Sequence, residues 1–188
     1  MKILKSNSKI FDKTLTNLLL QRKKRIKSNS ISVTNIIRDV KKNGDKALLK
    51  YEKRFNQNDK ITPTSKQVLK SIRSLDGKVK KAIDLAYSRI FKFHSLQRHK
   101  NISYTDKLKN KLEYKYVPID SVAIYVPGST ASYPSSVLMN AIPAIVAGVK
   151  RIIMINPGLK GKQSPAVLYA ARKCKIKEIY SIGGPSAI

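Results

Sequence analysis

Apolar residues recur at helical spacing through most of the first hundred positions, then gather into short strand-like runs. Phe11, Leu15, Leu18 and Leu19 predict a helix that ends in the solvated run 21–25. The segment 28–31 breaks the pattern. Ser32 then stands where it would cap a second helix, whose face is Val33, Ile36, Ile37 and Val40. Asn43-Gly44-Asp45 reads as a turn or a helix restart, followed by a face of Ala47, Leu48, Tyr51 and Phe55. Residues 56–65 are polar, contain Pro63 and predict a loop. Two more helices are expected over 66–75 and 78–98, the second packing Val79, Ala82, Ile83, Ala86, Ile90 and Phe93 on one side. Residues 102–118 place Leu108, Leu112, Tyr114, Tyr116 and Val117 around Lys109-Asn110, the alternation of a short hairpin.

After Pro118 the texture changes. Ser121–Val126 is a compact apolar strand that ends in Pro127-Gly128-Ser129-Thr130. Residues 135–149 predict a helix with one apolar side, kinked or restarted at Pro143. Arg151–Ile155 is a second strand, 163–173 a second helix and Lys177–Ile182 a third strand, ended by Gly183-Gly184. Crossover helices of this length make the strands parallel and the connections right-handed. The fold class is therefore α/β. A helical region with a hairpin occupies 1–118, and the first part of a Rossmann-like βαβαβ nucleotide-binding domain occupies 119–188.

Charge alters this picture most. The chain has 39 Lys and Arg against 11 Asp and Glu, a net +28. Residues 1–118 carry 31 basic and 9 acidic side chains, and 119–188 only 8 and 2, so the excess lies mostly outside the sharpest motif. Such a field suits nucleic acid or anionic surfaces. Scattered lysines with abundant Ile, Asn and Ser and no Trp equally fit codons rich in A and T. One cysteine excludes an internal disulfide and a thiolate zinc site, and fits a reducing cytoplasm. No run of 18 apolar residues is present, so no membrane span is expected.

The chemistry points to the carboxyl ends of the strands, where open α/β sheets bind ligands. A strand ending in Pro-Gly turns tightly and lets backbone approach a ligand. The helix starting near Pro134-Ser135-Ser136 offers free N–H groups to an anion. Each feature has a plainer account. Tyr125 can be a packing aromatic, Gly183-Gly184 a turn, and Ser135 and Ser136 caps. His94 and His99 lie on a lysine-rich helix. The tyrosines 104, 114 and 116 interleave with lysines as base-stacking residues do, and also as ordinary hairpin aromatics do.

The segment Ile124–Ala147, IYVPGSTASYPSSVLMNAIPAIVA, resembles the signature of histidinol dehydrogenases. Val33–Phe55, Ile83–Gln97 with its Phe-His and Gln, Pro118-Ile119 and Gly183-Gly184 agree in the right order. The resemblance implies a histidinol dehydrogenase/aldehyde dehydrogenase-like fold and an NAD-dependent oxidation of L-histidinol to L-histidine through histidinal. It also implies a zinc ion, a catalytic Glu-His pair and a homodimer. It places NAD contacts at Tyr125 and Ser186. Ser186 stands where the family has glutamine, Pro185 where it has alanine, and Ser129 where it has the second glycine of Pro-Gly-Gly. A serine reaches less far than glutamine, and Pro185 lacks an N–H, so weakened NAD binding is expected. The zinc ligands and Glu-His pair of the family lie beyond Gly-Gly-Ala-Gln. The chain therefore reads as an N-terminal fragment, incomplete at its C-terminus, with no catalytic or metal residues and no activity alone. Two other readings stand beside it: a basic nucleic-acid-binding remnant without enzymatic activity, and a standalone NAD-binding module.

Overall fold

The computed structural model describes residues 10–128, 131–158 and 160–187, and of residues 22–31 only the backbone course. Ser129 thus lies outside the described residues. The N-terminal half is helical: α1 (Phe11–Asn43), α2 (Asp45–Asn56), α3 (Ser65–Arg73) and α4 (Gly77–Ser95). A hairpin follows, β1 (Ile102–Thr105) and β2 (Lys111–Tyr114). The last third alternates β3 (Ser121–Tyr125), α5 (Pro134–Ala147), β4 (Arg151–Ile155), α6 (Pro165–Lys173) and β5 (Glu178–Tyr180), ending in a 3-10 turn, Gly184–Ala187.

The helix boundaries follow local chemistry, with one exception. The break expected at 28–31 does not occur, and Ser32 lies inside α1 rather than at its cap. Ser and Asn cost a helix only tenths of a kcal/mol each, and that stretch has no Gly or Pro to stop it. The restart at Gly44 does occur. Gly44 has φ 54° and ψ −136°, separating α1 from α2. Asp39 clamps the two helices together, accepting from the Tyr51 hydroxyl at 2.7 Å and from Lys50 at 3.1 Å. Hydrogen bonds from Tyr51, Asn43 and Lys50 hold its carboxyl down at about 2. Thr64 and Gln67 form a reciprocal capping box at α3, and Asp76 caps α4. Pro143 neither breaks nor restarts α5, which runs on to a left-handed Gly148.

The three strands form a parallel sheet in the order β3-β4-β5, with Ile124 opposite Met154 and Met154 opposite Ile179. Both crossover helices cover one face. Ile124 and Met154 of that face join Val137, Leu138, Ile142, Val167 and Leu168 in the main core. α4 packs outside α5, and α3 and α4 outside α6, so α5 is apolar on more than one side because it lies between two layers. Ile83 is buried and Tyr87 and Ile90 pack with it, whereas Val79 and Phe93 of the expected face are exposed. Asp84 fastens α4 to α6, accepting from Lys173 at 2.8 Å and from the Tyr169 hydroxyl at 3.0 Å. The Lys173 bond, more than any other contact, draws the Asp84 carboxyl below its usual range. Burial pushes the Cys174 thiol up to about 12.

The opposite sheet face presents Ala123 and Tyr125 to solvent, with Ile153, Ile155 and Tyr180 half-buried. The hairpin is amphipathic. Ile102 opposes Tyr114 and Tyr104 opposes Leu112 on one face, yet all four are exposed, at 58–61%. Its aromatics pack on neighbours rather than in the core. Tyr116 stacks on His99 at 4.6 Å and meets Tyr114 edge-on. No helix among the described residues is long and apolar enough to cross a membrane.

Candidate functional site

The carboxyl edge of the sheet is built by three loops, one after each strand. Tyr125 closes β3 beside Ile155 and points to the open face, 43% exposed. After it Val126 is fully buried, and its N–H donates to the Ile155 carbonyl at 2.8 Å. The Asn156 amide group donates to the Val126 carbonyl at 2.8 Å, tying the first loop to the second. Gly128 then passes so close to Pro157 that a Cβ would meet the Pro157 carbonyl oxygen at 2.1 Å. Only glycine permits this crossing, the close backbone approach that the Pro-Gly pair announces.

The third loop is held from a distance. Glu52 of α2 and Asn58 beyond it are fully buried. The Glu52 carboxylate accepts from the Gly183 N–H at 2.8 Å, from Asn56 at 2.9 Å and from Asn58 at 3.0 Å. Asn58 also donates to the Ser181 carbonyl at 3.1 Å and accepts from the Gly161 N–H. Every buried polar atom of this knot has a partner, which is the condition for a buried carboxylate to be tolerated. Gly183 fits because a Cβ there would strike the Pro157 ring at 2.7 Å. Sequence reading missed Glu52 and Asn58, which sit in an ordinary polar stretch without a motif.

Ser186 lies in the 3-10 turn, and its hydroxyl donates to the Gly183 carbonyl at 2.8 Å. Its hydrogen is used within the turn, while the oxygen keeps lone pairs to accept a bond. β4 stands between the strands that carry Tyr125 and Ser186, so the two mark opposite ends of one edge.

Neither lines the cavity that the first two loops enclose. That cavity, about 220 Å³, is bounded by Pro127, Ser132, Asn156, Lys162, Gln163 and Val167, among others. It lies at the N-termini of α5 and α6, neither of which has a side-chain cap. The Ser164 hydroxyl instead meets that of Ser132 at 2.7 Å. The anion-friendly helix start expected at 134–136 is thus present and shared with α6. Its most buried polar residue, Gln163, carries no sequence signal.

A metal has no comparable place. Among the described residues no three His, Cys, Asp or Glu side chains come together to hold one. His94 pairs its Nδ1 with the Gln97 side chain at 2.6 Å, and His99 is engaged with Tyr116.

Comparison with known proteins agrees with this architecture. The family model for histidinol dehydrogenase matches residues 20–188. The histidinol dehydrogenase of Pelagibacter ubique (strain HTCC1062) is 77% identical over all 188 residues, which cover 44% of its length. Histidinol dehydrogenase 1 of Trichormus variabilis is 41% identical across the whole chain, again 44% of that protein. The crystal structure of histidinol dehydrogenase from Elizabethkingia anophelis superposes with a TM-score of 0.80 at 34% identity, covering 84% of this chain and 37% of that one. The chain spans less than half the length of these relatives. A mixed α/β fold with a parallel sheet, the Tyr125–Met139 signature on its first strand and helix start, and a family match over most of its length lead to one conclusion: the chain belongs to the histidinol dehydrogenase family.

Proposed function

We propose that this chain forms the helical region and the first nucleotide-binding unit of an NAD-dependent enzyme that oxidises L-histidinol to L-histidine through histidinal. The observation that carries the reading is Tyr125, exposed at the carboxyl end of β3 in a chain of this family. When bound, NAD supplies the hydride acceptor. The chain's own part is to bind and orient it. The Tyr125 ring gives one exposed contact, and the Ser186 oxygen offers a short acceptor at the far end of the edge. The knot around Glu52 fixes the turn on which Ser186 sits, so a ligand meets a set geometry and need not order that loop itself.

The fit is partial. Ser186 spends its proton inside the turn, Pro185 has no N–H, and both features lower affinity relative to a glutamine. The family's zinc finds no ligand set among the described residues, so no step through it is assigned to them. The site acts in the cytoplasm, in a homodimer of complete subunits.

NAD titrated into the 188-residue chain is expected to quench tyrosine fluorescence and raise the melting temperature, and Tyr125→Ala is expected to remove both responses. An unresponsive chain would sink the reading. With histidinol, NAD and zinc supplied, the chain alone is expected to make no NADH. Turnover would show that its own residues carry the chemistry.

A further inference from the structure

The cavity at the start of α6 holds an acceptor that nothing satisfies. Gln163 is 9% exposed and lines the cavity. Its Nε2 donates to the Asn156 carbonyl at 3.1 Å, which fixes the amide's orientation. Turning it over would set two acceptor oxygens against each other. Its Oε1 is buried with no hydrogen-bond partner among the described residues. A buried orphan acceptor is costly to leave unmade and marks a place for a missing donor.

Donors surround it. α6 is nine residues long, starts at Pro165 and has no side-chain cap, so the amides of Ala166 and Val167 keep the electropositive character of a helix start. Val167 and the exposed Lys162 line the same cavity. The cavity therefore asks for a ligand with negative charge at one point and a hydroxyl donor at another. Inorganic phosphate meets the first demand and, largely ionised at neutral pH, the second poorly. A sugar phosphate meets both. At about 220 Å³ the cavity is smaller than the roughly 300–1,000 Å³ of sites that enclose a whole drug-sized ligand, so it holds one end of something larger.

We infer that this cavity is a subsite for a ribose phosphate. Gln163 Oε1 accepts from a ribose hydroxyl, and the α6 start with Lys162 holds the phosphate. The inference rests on the dinucleotide reading, because it seats one nucleotide half of such a ligand. It adds a place on the helix-covered side of the sheet edge, away from Tyr125. In nucleotide-binding folds of this kind a carboxylate commonly receives that hydroxyl. Here the end of β4 has Asn156-Pro157, and a neutral amide from the following loop takes the role.

The test is a titration of the isotope-labelled 188-residue chain with ribose 5-phosphate, AMP, inorganic phosphate and NAD. The Ala166 and Val167 amides and the Gln163 side-chain amide are followed by NMR. Ribose 5-phosphate and AMP are expected to shift all three and to bind about tenfold more tightly than phosphate, the worth of one well-made hydrogen bond. Gln163→Leu is expected to erase that advantage and leave phosphate binding unchanged. Lys162→Ala, at an exposed position, weakens all of them and serves if the leucine variant does not fold. Ribose 5-phosphate binding no better than phosphate overturns the inference, as does a leucine variant with unaltered ribose preference. If NAD perturbs Tyr125 and leaves Ala166 and Val167 still, the dinucleotide reading survives and this one falls. If AMP shifts the cavity and NAD shifts nothing, this inference stands and the dinucleotide reading falls.

Discussion

The hairpin β1–β2 and the parallel sheet β3–β4–β5 sort their side chains by the same alternation. In the sheet, Ile124 and Met154 face α5 and α6 and are buried almost completely. In the hairpin, Ile102, Tyr104, Leu112 and Tyr114 form an equally clean apolar face that no described element covers. Alternation decides which residues share a face. It does not decide whether a face is filled. The sheet is filled because each parallel strand needs a crossover, and the crossover is itself a helix with an apolar stripe. The hairpin is closed by a short turn and brings no cover of its own. In that turn Asp106 accepts from the Asn110 backbone N–H at 2.8 Å, and Lys109 adopts φ 64°.

The largest expected effect breaks this comparison most directly. Leu138→Ala empties a site that is 1% exposed and is expected to cost about 2–5 kcal/mol. Leu112→Ala on the hairpin is expected to change stability by less than about 0.5 kcal/mol. Paired thermal melts by circular dichroism measure both. Equal losses would mean that the hairpin face is covered in solution.

A smaller effect is expected at the knot. Glu52→Leu leaves the Gly183 N–H and the Asn58 amide without their acceptor, at about 1–3 kcal/mol for each orphaned group. Hydrogen exchange at Gly183 is expected to speed up more than exchange in β4. Uniform acceleration would show that Glu52 supports the whole domain and not that loop in particular.

The smallest effect belongs to α1–α2. The Asp39 carboxyl is held at about 2, below its unfolded value of about 4. A depressed folded pKa contributes stability that is full above the unfolded value and is lost as pH falls through the folded one. Helicity at 222 nm is therefore expected to decline between pH ~4 and ~2 in the native chain. In Asp39→Asn that part of the decline is expected to be absent, and an identical acid profile would remove the clamp.

Much of the α/β unit was legible because its signals are local. The strand Ser121–Val126, the Pro-Gly turn and Gly183-Gly184 each announce themselves within a few residues. Gly44 did the same for the helix restart. What was not legible depends on partners far away. The packed stripe of α4 runs through Ile83, Tyr87 and Ile90 and leaves Val79 and Phe93 out, because α5 and α6 select the stripe. Residues 28–31 read as a break because polarity alone does not stop a helix that lacks Gly or Pro. At the sheet edge, Tyr125 and Ser186 came from family likeness, whereas Gln163 and Glu52 carry chemistry visible only once their surroundings are known.

The bond from Glu52 to Gly183 spans 131 positions of sequence. During synthesis the glutamate leaves the ribosome long before the glycine that will occupy it. At about 5–20 residues per second, the delay is several seconds to nearly half a minute. Through that interval the carboxylate of the most deeply buried acid in the fold is an ordinary hydrated charge. The carboxyl edge of the sheet is thus completed late, at the step when the last strand returns to a helix made near the beginning.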